Sequence, residues 1–302
     1  MLGQFVASIG GDNKFKLWRE SSSQETKGRR FKCVFSQSPS DGVPYAAFDS
    51  LMRGDDTFLA LVSHSGLLTF QGPTDPTSAA SWRELDALYP FGQRSRSDEP
   101  RFGISFHHAA GPPSQTLAAG LDQDVISFAV SSAHAVKVFR TMVSGDEGLH
   151  LHEMLEIRQY AASINSISWA PGCNNPREII AVASDDRSIG LFEIHLQRTL
   201  PENLPNKKLA TQRTIRRESK NHRSAPASGI SEGLAGTTDS RDATRVAGDL
   251  DIKHEAKELA RLVAPTSDTP MGKLQWSVDG MIRYDLWIGR ADTAREYTRC
   301  CL

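Results

Sequence analysis

No apolar stretch in this chain of 302 residues is long enough to span a bilayer. The first residues lack the basic-then-apolar order of a secretory signal. Net charge is scarce: 35 Lys and Arg stand against 36 Asp and Glu, leaving −1. That excludes a surface held to nucleic acid or membrane by overall charge. Cysteine is sparse as well. Cys33, Cys173, Cys300 and Cys301 show neither metal-site spacing nor a disulfide framework, so a soluble protein of a reducing, intracellular compartment is expected. Hydrophobic residues reach only 39%, low for a wholly packed globule, so part of the chain is expected outside the core.

Aromatic residues are missing from one long region. Between Glu193 and Gln275 there is no Phe, Trp or Tyr, and polar residues dominate from Gln197 to Asp251. Such a stretch cannot bury enough apolar area to offset the entropy of ordering it, so residues 197–251 are expected to form a disordered insert. Lys207 to Arg223 holds seven Lys or Arg and one acid, Glu218. That run suits a solvated loop, a nuclear-import signal or a patch for phosphate-rich partners. Without interleaved aromatics it does not suit base stacking, and no direct nucleic-acid partner is expected. Ile252 to Val263 is expected as a helical turn or two, or as an outer strand.

Chemistry is missing too. "SHSG" (Ser63 to Gly66) is no nucleophile elbow. Gly10-Gly11 is not followed by the Lys-Ser/Thr of a phosphate loop. His150 and His152 share a strand face, yet no third ligand is spaced to join them. His107 and His108 read as turn residues. Asp12, Asp122, Asp185 and Asp186 each read as hairpin-turn residues bonding nearby backbone. No catalytic residue, cofactor site, metal site or small-molecule substrate is expected.

What the chain does have is a recurring cadence. "FVASIGGDNKFKLWRE" (Phe5 to Glu20) and "IIAVASDDRSIGLFEI" (Ile179 to Ile194) share a small-residue strand, a turn and an alternating strand closing on an aromatic. "TFLALVSHSGLLTF" (Thr57 to Phe70) and the stretch Thr116 to Phe139 repeat it. In the latter, Leu121 to His134 reads as a polar insert between the two strands. The closing aromatics Trp18, Phe70, Phe139 and Phe192 are 52, 69 and 53 residues apart. A standard WD40 blade repeats at roughly 40–45 residues. Upstream elements also recur: "PYAAFDS" (Pro44 to Ser50), "RFGISFHH" (Arg101 to His108), "SINSISWAP" (Ser163 to Pro171) and "GKLQWSVDG" (Gly272 to Gly280). The last two contain Trp169 and Trp276. Outer-strand candidates are Phe31 to Phe35, Trp82 to Leu88 and Leu149 to Ile157. Period-two alternation broken by Gly, Pro, Asp and Asn denotes strands. Four antiparallel strands per unit make a propeller blade. The expected fold is all-β, with Trp18, Phe70, Phe139, Phe192, Trp169 and Trp276 as structural blade positions and the first four equivalent. A generic β-sandwich is the alternative, since no Trp-Asp or Gly-His pair is present.

In serial order these units resemble the WD40 nucleoporins of the Seh type, relatives of the Sec-thirteen coat proteins. The resemblance covers about Phe5 to Ile194 and a short piece near Leu259 to Ile282. It implies an open WD40-type β-propeller and no enzyme activity. It implies a structural scaffold of the nuclear pore outer ring, in protein and mRNA transport. Its partners would be other nucleoporins, one of which donates strands that complete the propeller. The nuclear envelope is the implied location, with the vacuolar or lysosomal membrane periphery as a second, in a nutrient-signalling complex. The alternatives are a COPII-type vesicle coat subunit and a generic WD40 adaptor. The insert read in the third unit favours the nucleoporin. No residue is singled out as a partner contact.

Both ends depart from the pattern. The first unit lacks an inner strand, and after Ile282 the family's small-residue strand is not recognisable. The expected organisation is therefore propeller blades over 1–196, the insert over 197–251, a return as outer and inner strand over 252–282, and an atypical tail over 283–302. A shifted reading frame or a natural divergent tail would each produce that ending.

Overall fold

The computed structural model describes residues 5–20, 31–74, 81–93, 101–108, 125–144, 148–172, 177–199, 251–263, 271–276, 282–288 and 292–298. Nearly all the described residues fall in one compact unit, Met1–Gln197 with Lys253–Leu302. Residues 200–250, the core of the expected insert, lie outside the described residues, as do the basic run and Asp122.

The described residues are all strand, turn or irregular chain, without helix. Successive strands pair antiparallel as meanders, giving five sheets. Sheet 1 holds β1 (Phe5–Ile9), β2 (Phe15–Glu20) and β3 (Phe31–Gln37). Sheet 2 holds β4 (Tyr45–Arg53), β5 (Asp56–Ser63), β6 (Leu68–Pro73) and β7 (Trp82–Leu88). Sheet 3 holds β8 (Phe102–Phe106), β9 (Ser127–Ser132), β10 (Ala135–Ser144) and β11 (Gly148–Ile157). Sheet 4 holds β12 (Ile164–Trp169), β13 (Glu178–Ser184), β14 (Ser188–Thr199) and β15 (Asp251–Val263). Sheet 5 holds β16 (Met271–Trp276), β17 (Ile282–Ile288) and β18 (Asp292–Thr298). Four-stranded meanders in series are WD40 blades, and the fold is an open, incomplete WD40-type propeller.

The turns explain the cadence. Gly10 to Lys14, Ser63 to Leu67 and Ser184 to Ser188 are three-residue hairpin loops with a left-handed residue in the same place. Those residues are Asn13 (φ 61°), Gly66 (φ 89°) and Arg187 (φ 68°). This is the loop in which a type I turn ends in a bulge. At Asp186, burial pushes the carboxyl up, but donation from Ser188 and Ser184 outweighs it and holds the group below its ordinary range. The third unit differs. Its loop is only Ala133 and His134, with Ala133 left-handed (φ 44°). The expected long insert between its middle strands is therefore corrected, because Ser127–Ser132, inside that insert, is the small-residue strand itself. Thr116 to Gly120, read as that strand, lies outside the described residues.

Counting from these loops settles which aromatics correspond. Trp18, Phe139 and Phe192 each stand four residues beyond the residue that closes the loop, opposite Val6, Phe128 and Ile180. Phe70 stands three beyond, and Gln71, 2% exposed, takes the equivalent place. A one-residue offset turns a side chain to the other face. Phe139 and Phe192 face the preceding sheet, whereas Phe70 faces the following one. Phe70 is thus a buried blade residue, but it is not equivalent to the other three.

Each pair of neighbouring sheets encloses a core. Phe15, Tyr45, Leu59 and Leu61 fill the space between sheets 1 and 2. Phe70, Phe106, Phe128 and Phe139 fill that between sheets 2 and 3. Trp169, Ile180, Val182 and Phe192 join sheets 3 and 4, and Ala181, Leu191, Leu274 and Trp276 join sheets 4 and 5. A strand buried on both faces reads as a continuous apolar run, as β13 does (burial of all seven residues). Gly190 lets the Tyr160 hydroxyl and the Phe192 ring approach its Cα where no Cβ would fit.

The inner strands are also stitched in sequence. Asp49 Oδ2 of β4 accepts from the Phe106 amide of β8 at 2.8 Å. Ser105 Oγ of β8 accepts from the Trp169 amide of β12 at 2.9 Å. Ser166 and Ser168 of β12 accept from the amides of Leu274 (3.0 Å) and Trp276 (3.3 Å) in β16. Each stitch meets a backbone donor that the curved packing would otherwise leave buried and unbonded.

Ile252 to Val263 lies within an outer strand, β15, the second of its two expected forms, while β14 and β15 also run into the positions assigned to the insert at 197–199 and 251. The atypical tail contains β17 and β18, paired from Ile282↔Thr298 to Ile288↔Asp292. In sequence, Ile282, Tyr284, Leu286 and Ile288 alternate with Arg283 and Asp285, a period-two pattern obscured by Trp287 beside Ile288.

Candidate functional site

A sheet buries its apolar face against a neighbour or leaves it for a partner. Eight faces pair in the four cores above. The face of sheet 1 turned away from sheet 2 meets no described sheet. Its rows follow from register: Val6 lies opposite Trp18, which lies opposite Cys33, and Glu20 lies opposite Phe31. Val6 is 46% exposed and Phe31 38%, Cys33 is exposed, and Trp18 is half-buried. Trp18 stands where Phe139 and Phe192 are fully covered, so its exposure comes from the uncovered face and not from its own position in the strand.

The surroundings hold this face in order. Trp18 Nε1 donates to Ser8 Oγ at 2.9 Å, and Lys16 Nζ lies 5.9 Å from the centre of the Trp18 ring. Lys16 is also paired with Asp12, whose carboxyl that bond holds below its ordinary range. Beside the face runs an edge. β1 pairs with β2 alone among the described strands, so its other side offers unbonded amides and carbonyls. An apolar face beside an open edge is where a further β-element docks, by packing and by strand addition.

The other sequence candidates separate. Trp169 (2% exposed) and Trp276 (9%) are core residues, the latter donating Nε1 to the Ser168 carbonyl at 3.0 Å. His107 is corrected from turn residue to core: it is 7% exposed and stacks on Trp169 with ring centroids 5.2 Å apart. Burial, then the charges of Arg140 and His108, push its pKa down to about 4. His150 and His152 lie on β11, with His150 Nδ1 3.9 Å from Asp86 Oδ2. Among the described residues no three His, Cys, Asp or Glu side chains gather to hold a metal. No described helix is long and apolar enough to cross a membrane. The buried Arg140–Glu178 ion pair between sheets 3 and 4, 2.6 Å long, went unread in the sequence. No local motif marks a pair 38 residues apart.

Fold and face together define a class: an open WD40-type propeller with an uncovered sheet face and edge among the described strands. The chain is similar to Nucleoporin SEH1 of Saccharomyces cerevisiae (strain ATCC 204508 / S288c). The two are 27% identical over 198 residues, 64% of this chain and 51% of that protein, and the bladed all-β structure fits a WD40 nucleoporin of the Seh type. The chain thus spans about half the length of the curated relative it matches. No family model matches it.

Proposed function

We propose that the protein is a structural scaffold subunit of the nuclear pore outer ring and not an enzyme. It works by binding other nucleoporins through propeller edges. One partner donates a β-element that packs on Val6, Trp18 and Phe31 and pairs with β1. Its place is the nuclear envelope, with the vacuolar or lysosomal periphery as a second site of action. The observation that carries the reading is the similarity to a nucleoporin over 198 residues. The uncovered face of sheet 1 supplies the physical means. The third unit gives no argument against a coat role, since its hairpin loop is tight.

The test is isolation of the tagged full chain from cells under stringent salt. Outer-ring nucleoporins are expected in near-stoichiometric yield, and Val6→Asp should lose the strand-donating partner. Recovery of vesicle-coat proteins instead, or of neither set, would overturn the assignment.

A further inference from the structure

A cavity of about 430 Å³ opens where three connections meet, away from sheet 1. The chain after β7 brings Phe91, the last residue of β9 is Ser132, and the end of β11 brings Glu156, Arg158 and Tyr160; Lys137 rises from β10. The volume suits a few residues of an extended peptide.

The lining is two-sided. Phe91 and Tyr160 form an aromatic wall. The rest is rich in donors. Lys137, only 13% exposed, is held 5.6 Å from the centre of the Phe91 ring and 2.9 Å from Glu153. Arg158 is 74% exposed and gives its Nε to Glu156 at 2.7 Å. Ser132 is 1% exposed, and its hydroxyl is buried without a hydrogen-bond partner. Buried hydroxyls are normally satisfied, so a bound group is the expected acceptor. Among the described residues Glu156 is the only carboxylate in the lining, and Arg158 already engages it.

A hydroxyl without a partner and a largely exposed guanidinium beside an aromatic wall call for a ligand with acceptors beside an apolar group. We propose that this cavity binds an acidic linear peptide of a protein partner. An apolar side chain would rest on Phe91 and Tyr160, and carboxylates would reach Ser132, Lys137 and Arg158. Charge-assisted bonds to guanidinium and ammonium supply the orientation. This surface is separate from sheet 1 and does not depend on the nucleoporin reading.

The test is fluorescence anisotropy with the full chain and a labelled five-residue peptide, a central Phe flanked by aspartates. The expected result is saturable binding that weakens at least tenfold in Arg158→Glu and severalfold in Ser132→Ala. The lysine-flanked counterpart should bind at least tenfold more weakly. Arg158→Glu alters an exposed side chain, so a lost signal with an unchanged melting curve reports on the site. Absence of binding at millimolar protein, equal affinity for both peptides, or binding indifferent to both variants would overturn the proposal. So would full competition by equimolar inorganic phosphate, which would mark a simple anion site.

Discussion

Phe128 should be the most costly single truncation in the chain. It is fully buried on β9, beside Phe106 on one strand and Phe139 on the other. Its ring centroid lies 5.1 Å from that of Phe106 and 5.7 Å from those of both Phe70 and Phe139. Phe70 comes from sheet 2, so the ring ties two sheets together. Truncation of a buried Phe to Ala costs about 3–5 kcal/mol through lost transfer energy and the cavity left behind. Aromatic pairs add about 0.5–1.5 kcal/mol each beyond area, and three are lost. The upper end, about 5 kcal/mol, is therefore expected, a large share of a domain stability of about 5–15 kcal/mol. Phe128→Leu keeps most of the volume and should cost less than half as much. Trp18→Ala should cost only about 1–2 kcal/mol, because the indole lies partly exposed on the uncovered face and its hydrogen bond to Ser8 is worth about 1 kcal/mol. Urea unfolding followed by far-ultraviolet circular dichroism measures all three. A Phe128→Ala loss below that of Trp18→Ala would refute the packing described between sheets 2 and 3.

Acid should weaken the fold through His107, whose pKa falls to about 4 on folding while the unfolded chain titrates at its ordinary value. The unfolded state then binds the proton more readily, so stability falls as pH drops from about 6.5 toward 4, by about 3 kcal/mol in all. Urea midpoints between pH 7 and pH 4 would follow this, and His107→Phe should flatten that part of the profile; an unchanged profile would contradict the burial of this imidazole. Gly190→Ala sets a methyl against the Tyr160 hydroxyl and should cost about 1–3 kcal/mol, with partial recovery when Tyr160→Phe is added. Melting temperatures of the single and double variants check it. Val6→Asp should change stability by less than about 0.5 kcal/mol, since the side chain is 46% exposed, while removing the strand-donating partner. Equal loss of folding and binding would place Val6 in the core.

The strand order was legible because a buried blade forces period-two alternation and small residues onto its middle strands. The loops were legible as sites but not in their lengths. "SHSG" and "SDDR" look alike and are alike, whereas Ala133-His134 makes the same reversal with one residue fewer and no Gly, Asn or Asp. Hence Phe128, the second residue of β9, was missed and the strand was sought earlier. Phe70 misled because the aromatic closes its strand one place early and Gln71 is buried in its stead. Sequence alternation cannot register such an offset without the loop as a reference point. The stitches from Asp49, Ser105, Ser166 and Ser168 were invisible because they join residues 57 to 108 apart through backbone amides. The exposure of Val6 and Phe31 was invisible for another reason: the alternation of a strand does not say which of its faces has a neighbour.

Hydrogen–deuterium exchange of the β1 amides, Phe5 to Ile9, in the free chain and in the isolated complex tests the central claim most directly. The account predicts that the β1 amides turned away from β2 exchange readily when free and become protected in the complex, while those of β13, Glu178 to Ser184, stay equally protected in both. A complex that forms with the β1 amides unchanged would contradict it.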